Sequence, residues 1–255
     1  MASKYQKLHN KHVLIIGGTS GIGFAVAEAS LASGARVTVS SSSQSRVDAA
    51  VEKLNAEFPN STSTGHACDL SRPTVEGDVE ALFSKVGPVD HIVYTAGDKL
   101  ATGPVSDITY EKIIAAGQIR FVAPLLVAKV GSKFLIPGPQ SSITLTTGTV
   151  SQKPSPDWSL VAGYATGLHG MTRSLAVDLK PIRVNLVSPG FVITELWDHS
   201  LDKKEKEKFS QAIAEKMLTG RAGQPEDVAE AYLFLMKDPN VTGTVVDSNS
   251  GALLV

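Results

Sequence analysis

Seven consecutive residues, Gly-Gly-Thr-Ser-Gly-Ile-Gly from position 17 to 23, have the types and spacing of a phosphate-binding turn. They follow the apolar run Val13–Ile16 and precede apolar side chains at helical spacing, so a strand, a glycine turn and a helix are predicted. Backbone N–H groups of such a turn approach a pyrophosphate at the helix N-terminus, where the dipole favours an anion. The alternative is a turn that binds no ligand. The predicted contacts are Gly17, Thr19, Ser20, Gly21, Ile22 and Gly23.

Apolar runs alternate with amphipathic stretches along the whole chain, and this pattern predicts the elements that position the turn. It is typical of an α/β fold, a Rossmann-type, doubly wound, seven-stranded parallel sheet with helices on both faces. A long helix from Tyr110 to Val130 should be kinked at Pro124. No linker or repeat interrupts residues 1–255, so a single dinucleotide-binding domain is expected. The predicted strands are Val13–Ile16, Arg36–Ser40, Thr64–Cys68, His91–Tyr94, Ser142–Thr146, Arg183–Val187 and Val245–Asp247.

Every notable polar cluster falls at the carboxyl end of a predicted strand. Ligands of open parallel sheets bind beyond those ends, so the clusters should converge on one dinucleotide site. After the glycine turn, the clusters are Ser40–Arg46, Asp69, Ala96-Gly97, Thr146-Thr147 and Pro189–Thr194.

The end of the second strand indicates which dinucleotide is bound. An NAD-preferring protein normally has an acidic residue there for the ribose hydroxyls, whereas this chain has Ser41 in a serine-rich loop that ends at Arg46. Hydroxyls and a guanidinium hold a 2′-phosphate that a carboxylate would repel. Ser41, Ser42 and Arg46 therefore predict NADP(H); the alternative is a flexible serine loop with a solvent-facing arginine.

Composition excludes several other classes of protein. The chain has 255 residues, 42% of them hydrophobic, and a net charge of −1 with scattered basic residues, so neither disorder nor nucleic-acid binding is indicated. Cys68 is the single cysteine, and no cluster has metal-ligand spacing. The polar N-terminus lacks a signal-peptide core, and no apolar run was expected to reach membrane-spanning length. A cytoplasmic protein without a metal is expected.

Almost the whole chain resembles the short-chain dehydrogenase/reductase family, whose opening motif has the Gly-x-x-x-Gly-x-Gly spacing seen here, although the usual Thr before it is Ile16. The resemblance implies an adenine contact at Asp69-Leu70. Ala96-Gly97 resembles the end of the family's Asn-Asn-Ala-Gly motif, with Tyr94-Thr95 replacing the asparagines. The run from Arg183 to Gly190 resembles the sixth strand and its loop. There Pro189, Gly190, Val192 and Thr194 match positions that contact the nicotinamide amide and the diphosphate.

The catalytic residues depart from the family's Ser-Tyr-Lys set. Tyr164 matches the tyrosine, but Leu168 stands four residues later, where the family's lysine activates the hydroxyl. Thr147 occupies the serine position, and Gln118 is a candidate for the helper asparagine. Without the amine, Tyr164 would be a poor general acid–base near neutrality. Two interpretations remain open: a proton-transferring Tyr164, or a ring that packs against nicotinamide or substrate.

The sequence resembles an atypical, largely fungal branch of the family, similar to NADPH-dependent reductases of prenylated indole-alkaloid pathways. Some members of that branch also promote an intramolecular Diels–Alder cyclisation, with an Asp at the position that here is Ser155; Asp157 lies two residues away and is a possible substitute. Arg120 and Trp158 complete the predicted catalytic residues. Arg120 is a charge in an apolar helix, which requires a ligand or a structural ion pair. Trp158 would stack on a flat substrate or pack within its loop.

Residues 195–221, which include Leu196, Trp197, Met217 and Leu218, are predicted to form a lid over a bulky hydrophobic substrate. The leading hypothesis is an NADPH-dependent reductase of a specialised metabolite, with an iminium C=N preferred slightly over C=O. The alternatives are a non-catalytic NADP(H)-binding protein, or a cyclase or isomerase that uses the nucleotide as a scaffold. A homo-oligomer, a tetramer, is expected because Leu125, Leu168, Met171 and Leu175 provide more apolar area than one sheet face covers.

Overall fold

The computed structural model describes residues 3–199 and 202–255, in which seven strands form one parallel sheet. The strand order is β3-β2-β1-β4-β5-β6-β7, and β1 pairs with both β2 and β4. The order in which successive strands are added to the sheet therefore reverses between β1 and β4. Open α/β sheets bind their ligands at such a point. The strands are β1 (His12–Ile16), β2 (Arg36–Ser41), β3 (Ser63–Ala67), β4 (His91–Tyr94), β5 (Ser142–Thr146), β6 (Arg183–Pro189) and β7 (Val245–Ser248).

Helices cover both faces of this sheet, because alternate side chains of a strand point to opposite faces. On β1, Val13 and Ile15 belong to one buried cluster, while Leu14 and Ile16 belong to the other. The predicted doubly wound fold is therefore confirmed. The helices are α1 (Gly21–Ala32), α2 (Gln44–Glu57), α3 (Val75–Val86), α4 (Tyr110–Gly117), α5 (Ala123–Gly131), α6 (Ser159–Asp178), α7 (Lys203–Ala214) and α8 (Pro225–Lys237).

The predicted long helix is continuous but changes its winding in the middle. A π-helical turn, Gln118–Val122, joins α4 to α5, and Pro124 follows directly inside the first turn of α5. Proline has no N–H to donate and its ring crowds the carbonyl four residues earlier, so a widened turn before it is the expected distortion. The prediction of a perturbation at Pro124 located the irregularity, although the sequence did not indicate its form.

The same helix corrects the expectation about membrane-spanning segments. Tyr110–Gly131 is 22 residues long, and its most apolar window has a mean hydropathy of 1.7, which meets the length and composition of a membrane span. Only 39% of that window is buried, but Ala123, Val127 and Ala128 pack into the core against the sheet. Packing of this kind is what the core helix of a globular domain shows.

The apolar stripe of α6 also differs from its predicted role. Leu168 and Leu175 are buried in the core, and Met171 packs against it, so these three side chains face the sheet and leave no surplus for a subunit contact. Their three- and four-residue spacing places them on the face of the helix that the sheet already covers. Of the four residues predicted to form excess apolar area, Leu125 alone is substantially exposed, at 44%.

Candidate active site

The glycine turn between β1 and α1 is shaped so that side chains are excluded from it. Gly17 has φ of +93°, and a Cβ there would lie 2.4 Å from the backbone nitrogen of Ala96. A Cβ on Gly23 would lie 2.2 Å from the carbonyl oxygen of Gly17. Ser20, in extended conformation, immediately precedes α1, so the first N–H groups of the helix face the turn. The result is a cradle in which only backbone approaches, as an anion site at a helix N-terminus requires.

A cleft of about 790 Å³ opens at the carboxyl ends of the strands, in front of this turn. It brings together the predicted cofactor contacts and four predicted catalytic residues, although their individual roles stay predictions. The lining includes the predicted cofactor contacts Gly17, Thr19, Ser20, Gly21, Ile22, Gly23, Ser41, Ser42, Arg46, Asp69, Leu70, Ala96, Gly97, Pro189, Gly190, Val192 and Thr194, and the predicted catalytic residues Arg120, Thr147, Trp158 and Tyr164.

At the β2 end of the cleft, a serine and an arginine are already paired. Arg46 Nη2 donates a hydrogen bond of 2.7 Å to Ser42 Oγ at the start of α2, which points the guanidinium toward the end of the strand. Asp69, after β3, accepts hydrogen bonds from the backbone N–H and hydroxyl of Ser71 at 3.0 and 2.7 Å. These hydrogen bonds lower the pKa of the Asp69 carboxyl below its usual value. It is therefore an ionised acceptor at neutral pH.

Cys68 also lines the cleft, but its thiol is not activated. The residue is buried, and burial raises the pKa of the thiol to about 11. A neutral thiol at neutral pH is a poor nucleophile, which agrees with the interpretation of Cys68 as a small packing residue.

Tyr164 lies on α6 with its hydroxyl occupied by the backbone. Tyr164 Oη donates a 2.8 Å hydrogen bond to the carbonyl oxygen of Ile113 in α4. Its ring packs on Phe121, with 5.4 Å between ring centroids, and on Gly117, where a Cβ would meet the ring carbon Cζ at 2.5 Å. Leu168, at the position where the family's lysine was predicted to be replaced, is 4% exposed within the core. The tyrosine is thus held by packing and by a carbonyl, with no amine at the expected spacing.

Thr147 and Gln118 have backbone partners too. Thr147 Oγ1 donates a 2.8 Å hydrogen bond to the carbonyl oxygen of Ala165 on α6. Gln118 Nε2 donates to the carbonyl oxygen of Leu70 at 3.0 Å, and Gln118 is not among the cleft residues. The suggestion that Gln118 replaces the helper asparagine is therefore wrong, because the π-helical turn directs its side chain toward the loop after β3.

Arg120 forms an ion pair across the cleft wall. Its Nε donates to Asp98 Oδ1 at 3.0 Å, and its Nη2 donates to the carbonyl oxygen of Asp98. Burial lowers the pKa of the guanidinium, and the Asp98 carboxylate opposes that effect. Of the two alternatives, a structural ion pair is present, while the side chain still lines the cleft. Asp98 is not among the predicted site residues, although it is the first charge after Ala96-Gly97 in the sequence.

Trp158 and Ser155 lie in the loop before α6 and both line the cleft. Trp158 is half-buried, and its backbone occupies the N-cap of α6. Asp157 is exposed, has φ of +64° and is absent from the cleft lining. The suggestion that Asp157 takes the place of the Asp found in bifunctional relatives is not supported, because its backbone turns away from the cleft and accepts the N–H of Gly103 at 2.8 Å.

The predicted lid contributes an aromatic wall. Phe191, Trp197 and Phe209 have ring centroids 4.9 to 6.1 Å apart, and all three line the cleft. Trp197 Nε1 donates to the carbonyl oxygen of Val192 at 3.0 Å, which fixes the ring over the loop after β6. Leu196 lines the cleft as predicted, whereas Met217 and Leu218 do not. Residues 200 and 201 of the predicted lid lie outside the described residues.

No group of three or more His, Cys, Asp or Glu side chains in the described ranges is arranged to hold a metal ion. The donors that converge in the cleft are hydroxyls, backbone N–H groups, two arginines and a lysine, and donors of these kinds are suited to phosphate; three carboxylates line the cleft as well.

Comparison with known proteins identifies the class of protein. A model of the SDR-like Rossmann domain matches residues 4–255, and the chain belongs to the short-chain dehydrogenase/reductase family, whose members are oxidoreductases. The predicted family resemblance is confirmed.

Individual relatives narrow the comparison. The chain is 45% identical over 255 residues to the short-chain dehydrogenase/reductase fsr5 of Gibberella fujikuroi, covering 97% of this chain and 96% of that protein. The structure of MalC Reductase/Diels-Alderase from Malbranchea aurantiaca superposes with a TM-score of 0.92 at 42% identity, covering 99% of this chain and 100% of that one. A small-chain dehydrogenase solved in complex with NADPH has a TM-score of 0.78 at 29% identity, covering 96% and 100% of the two chains.

Proposed function

We propose that this protein is an NADP(H)-dependent reductase of a bulky hydrophobic metabolite, and that its preferred reaction is reduction of a cyclic iminium C=N bond. The reductase activity and the cofactor in this proposal are supported by family membership and by similarity to the MalC Reductase/Diels-Alderase and to a dehydrogenase solved with NADPH. The preference for an iminium rests on the hydrogen bonds of the candidate proton donors.

The residues around the glycine turn fit the cofactor. The cradle at Gly17 and Gly23, which a Cβ would fill, leaves room for a diphosphate against the backbone. Ser42 and Arg46 supply a hydroxyl and a guanidinium for a 2′-phosphate, and Asp69 supplies an ionised acceptor near the predicted adenine site. NADPH, when bound, supplies the hydride.

The single observation that carries the iminium preference is that both candidate proton donors are already donating. The hydroxyl protons of Tyr164 and Thr147 go to the backbone carbonyls of Ile113 and Ala165. Each hydroxyl has one proton, so neither offers it to a substrate oxygen without breaking a hydrogen bond. Leu168 in the core provides no amine to restore the transfer.

Reduction of a carbonyl leaves an alkoxide, which needs a proton in or near the transition state. An iminium cation accepts hydride and becomes a neutral amine, with no proton required. The chain then has to bind and orient the substrate and exclude water. The wall of Phe191, Trp197 and Phe209, with Trp158 lining the same cleft, is suited to a flat apolar substrate.

Tyr164→Phe tests the reaction type. We expect less than about a threefold loss of kcat for N-methyl-3,4-dihydroisoquinolinium, measured as NADPH consumption, because no proton passes through the tyrosine. The bicyclic ketone 2-tetralone serves as the matched carbonyl substrate. Tyr110→Phe, at an exposed tyrosine on α4, is the control for loss of a phenolic hydroxyl. A fall of more than about a hundredfold in kcat for the iminium would show that Tyr164 is the acid and would overturn the proposed iminium preference.

The two other functions make different predictions in the same assay. A non-catalytic NADP(H)-binding protein would bind NADPH and turn over neither compound. A cyclase that uses the nucleotide as scaffold receives little support here, since Ser155 replaces the acidic residue and Asp157 lies outside the cleft.

The remaining parts of the proposal concern architecture and location. We infer that residues 1–255 act as a single domain, in which residues 195–221 close over the substrate, and that the protein works in the cytoplasm as a homo-oligomer, a tetramer. Tyr110, Ile114 and Leu125 are 73, 51 and 44% exposed along α4 and α5, which supports a contact between copies through this helix. Nucleic acid and membranes are not proposed as partners.

A further inference from the structure

The charged residues of the cleft point to a second recognition element. Most of them have an evident partner or lie in the nucleotide half of the cleft, which is the part near the glycine turn where the cofactor is predicted. A charge in the other part, the substrate half, would constrain which substrates bind. Six charged side chains line the cleft: Arg46, Asp69, Asp98, Arg120, Lys153 and Glu195.

Four of these charges face groups of their own. Arg46 is hydrogen-bonded to Ser42, and Asp69 to Ser71, both at the predicted nucleotide end. Asp98 and Arg120 form an ion pair at 3.0 Å and neutralise each other. Glu195 lies against the glycine turn, where its Oε2 is 3.5 Å from the position of a Cβ on Gly21. Neither Glu195 nor Lys153 takes part in the ion pairs found within residues 3–199 and 202–255, but Lys153 is bonded to the C-terminal turn and does not lie against the glycine turn.

Lys153 is held in place at the cleft by the C-terminal turn. Its Nζ donates a 3.2 Å hydrogen bond to the carbonyl oxygen of Ala252, which also lines the cleft. The adjoining Gln152 Nε2 donates to Asp247 Oδ1 at 2.9 Å, which anchors the same loop to β7. The hydrogen bond to Ala252 uses one of the three N–H donors of a lysine ammonium.

The turn that carries Ala252 is itself fixed. Ser250 and Gly251 both have positive φ, of 56° and 79°, and the carbonyl oxygen of Ser250 accepts the N–H of Leu218 at 3.1 Å. The N–H of Gly251 donates to Asn249 Oδ1 at 3.0 Å. Lys153 is exposed, and this ordered acceptor gives its ammonium a preferred position at the cleft.

We propose that Lys153 is a specificity-determining residue that binds a carboxylate on the substrate. The site combines an ammonium that has donors to spare with the aromatic wall of Phe191, Trp197 and Phe209 and with Trp158, so it fits an aromatic molecule that carries an anionic oxygen group. This inference deepens the proposed function, because it rests on the aromatic half of the cleft being the substrate half.

The test is equilibrium binding, which does not depend on turnover. Isothermal titration calorimetry of the full chain saturated with NADP⁺ would compare 2-naphthoate with 2-naphthamide, which have the same ring system and differ in charge. We expect the carboxylate to bind at least about tenfold more tightly than the amide, as one charge-assisted hydrogen bond provides. Lys153→Met should abolish that difference by weakening the carboxylate alone, and Lys153→Arg should keep most of it.

Lys99→Met is the matched control, because Lys99 is exposed near the cleft between two lining residues but does not line it. It removes the same charge and should leave the preference intact. The proposal is overturned if wild type binds both compounds equally or binds neither, or if Lys99→Met has the effect of Lys153→Met. It is also overturned if Lys153→Met weakens NADP⁺ and leaves the preference, since Lys153 would then serve the cofactor. Failure of the iminium reaction itself would leave these affinities unchanged, so the two proposals fail separately.

Discussion

Single side chains decide what this cleft can bind and which protons it can move. Arg46 and Ser42 are hydrogen-bonded at 2.7 Å in the loop after Ser41, the position at which NAD-preferring proteins normally have an acidic residue. The hydroxyls of Tyr164 and Thr147 are present, but each donates its hydrogen bond to a backbone carbonyl. At this scale the nucleotide half has the donors that a phosphate needs, whereas Tyr164 has Leu168, and no amine, four residues later on α6.

Replacing Arg46 tests the nucleotide preference. Arg46→Ala should weaken NADPH binding about ten- to a hundredfold and leave NADH binding nearly unchanged, because the proposed contact of the guanidinium is with the 2′-phosphate, which NADH lacks. The measurement is calorimetric titration with both nucleotides. Arg36→Ala, which removes an exposed arginine at the other end of β2, is the control and should affect neither. An equal loss for NADPH and NADH with Arg46→Ala would remove this residue from the phosphate site.

At the scale of the elements, α1, α2 and α8 bring three carboxylates near one another. Glu28 lies in the middle of α1, Glu57 ends α2 and Glu226 lies in the first turn of α8. Burial, followed by the charge of Glu57, raises the pKa of Glu28 to about 7. A carboxyl whose pKa is raised on folding stabilises the fold in its protonated form, which is fully present below the ordinary value of 4.5 and is lost as the pH rises through 7.

Glu28→Gln should therefore change how stability depends on pH. The amide stays neutral, so the variant should gain about 1 kcal/mol over wild type at pH 8 and little at pH 5, after allowance for solvent screening of a partly exposed group. Urea unfolding at pH 5, 6, 7 and 8 measures the difference. Glu52→Gln, at an exposed position of α2, should show no such trend. Parallel pH profiles for wild type and Glu28→Gln would contradict the assignment.

The whole molecule keeps an apolar surface that the fold does not cover. The continuous helix formed by α4 and α5 exposes Tyr110, Ile114 and Leu125. The same helix is apolar enough to meet the composition of a membrane span. Monomeric proteins rarely expose contiguous apolar area of this kind, and symmetric association of identical chains is the commonest way to cover it.

Association is tested by light scattering after size exclusion at micromolar concentration. The wild type should have a mass of several times 26.8 kDa, and four times that mass for the proposed tetramer. The double variant Ile114→Lys, Leu125→Lys should shift the mass towards a single chain, because two desolvated ammonium groups are costly in an interface. Ile136→Lys, at an exposed apolar residue in the segment after α5, is the control and should not change the mass. A wild-type mass of one chain would refute the oligomer.

The sequence by itself determined the fold and the position of the site. Alternating apolar runs and amphipathic helices require a layered α/β arrangement, and the carboxyl ends of parallel strands then lie at one edge, so Gly17, Ser41, Asp69, Gly97 and Thr147 had to converge. Local backbone requirements, such as the positive φ of Gly17, are also visible in the residue type.

The tertiary structure decided what each side chain does there. The partner of Tyr164 is the carbonyl of Ile113, 51 residues away in the chain, and Arg120 pairs with Asp98 across 22 residues. The apolar stripe of α6 could have faced either the sheet or another subunit, and packing placed Leu168 and Leu175 in the core. Lys153 donates to the carbonyl of Ala252, 99 residues away in the chain. A hydrogen bond depends on which atoms lie within about 3 Å in the folded chain, and neither residue type nor spacing along the sequence contains that distance.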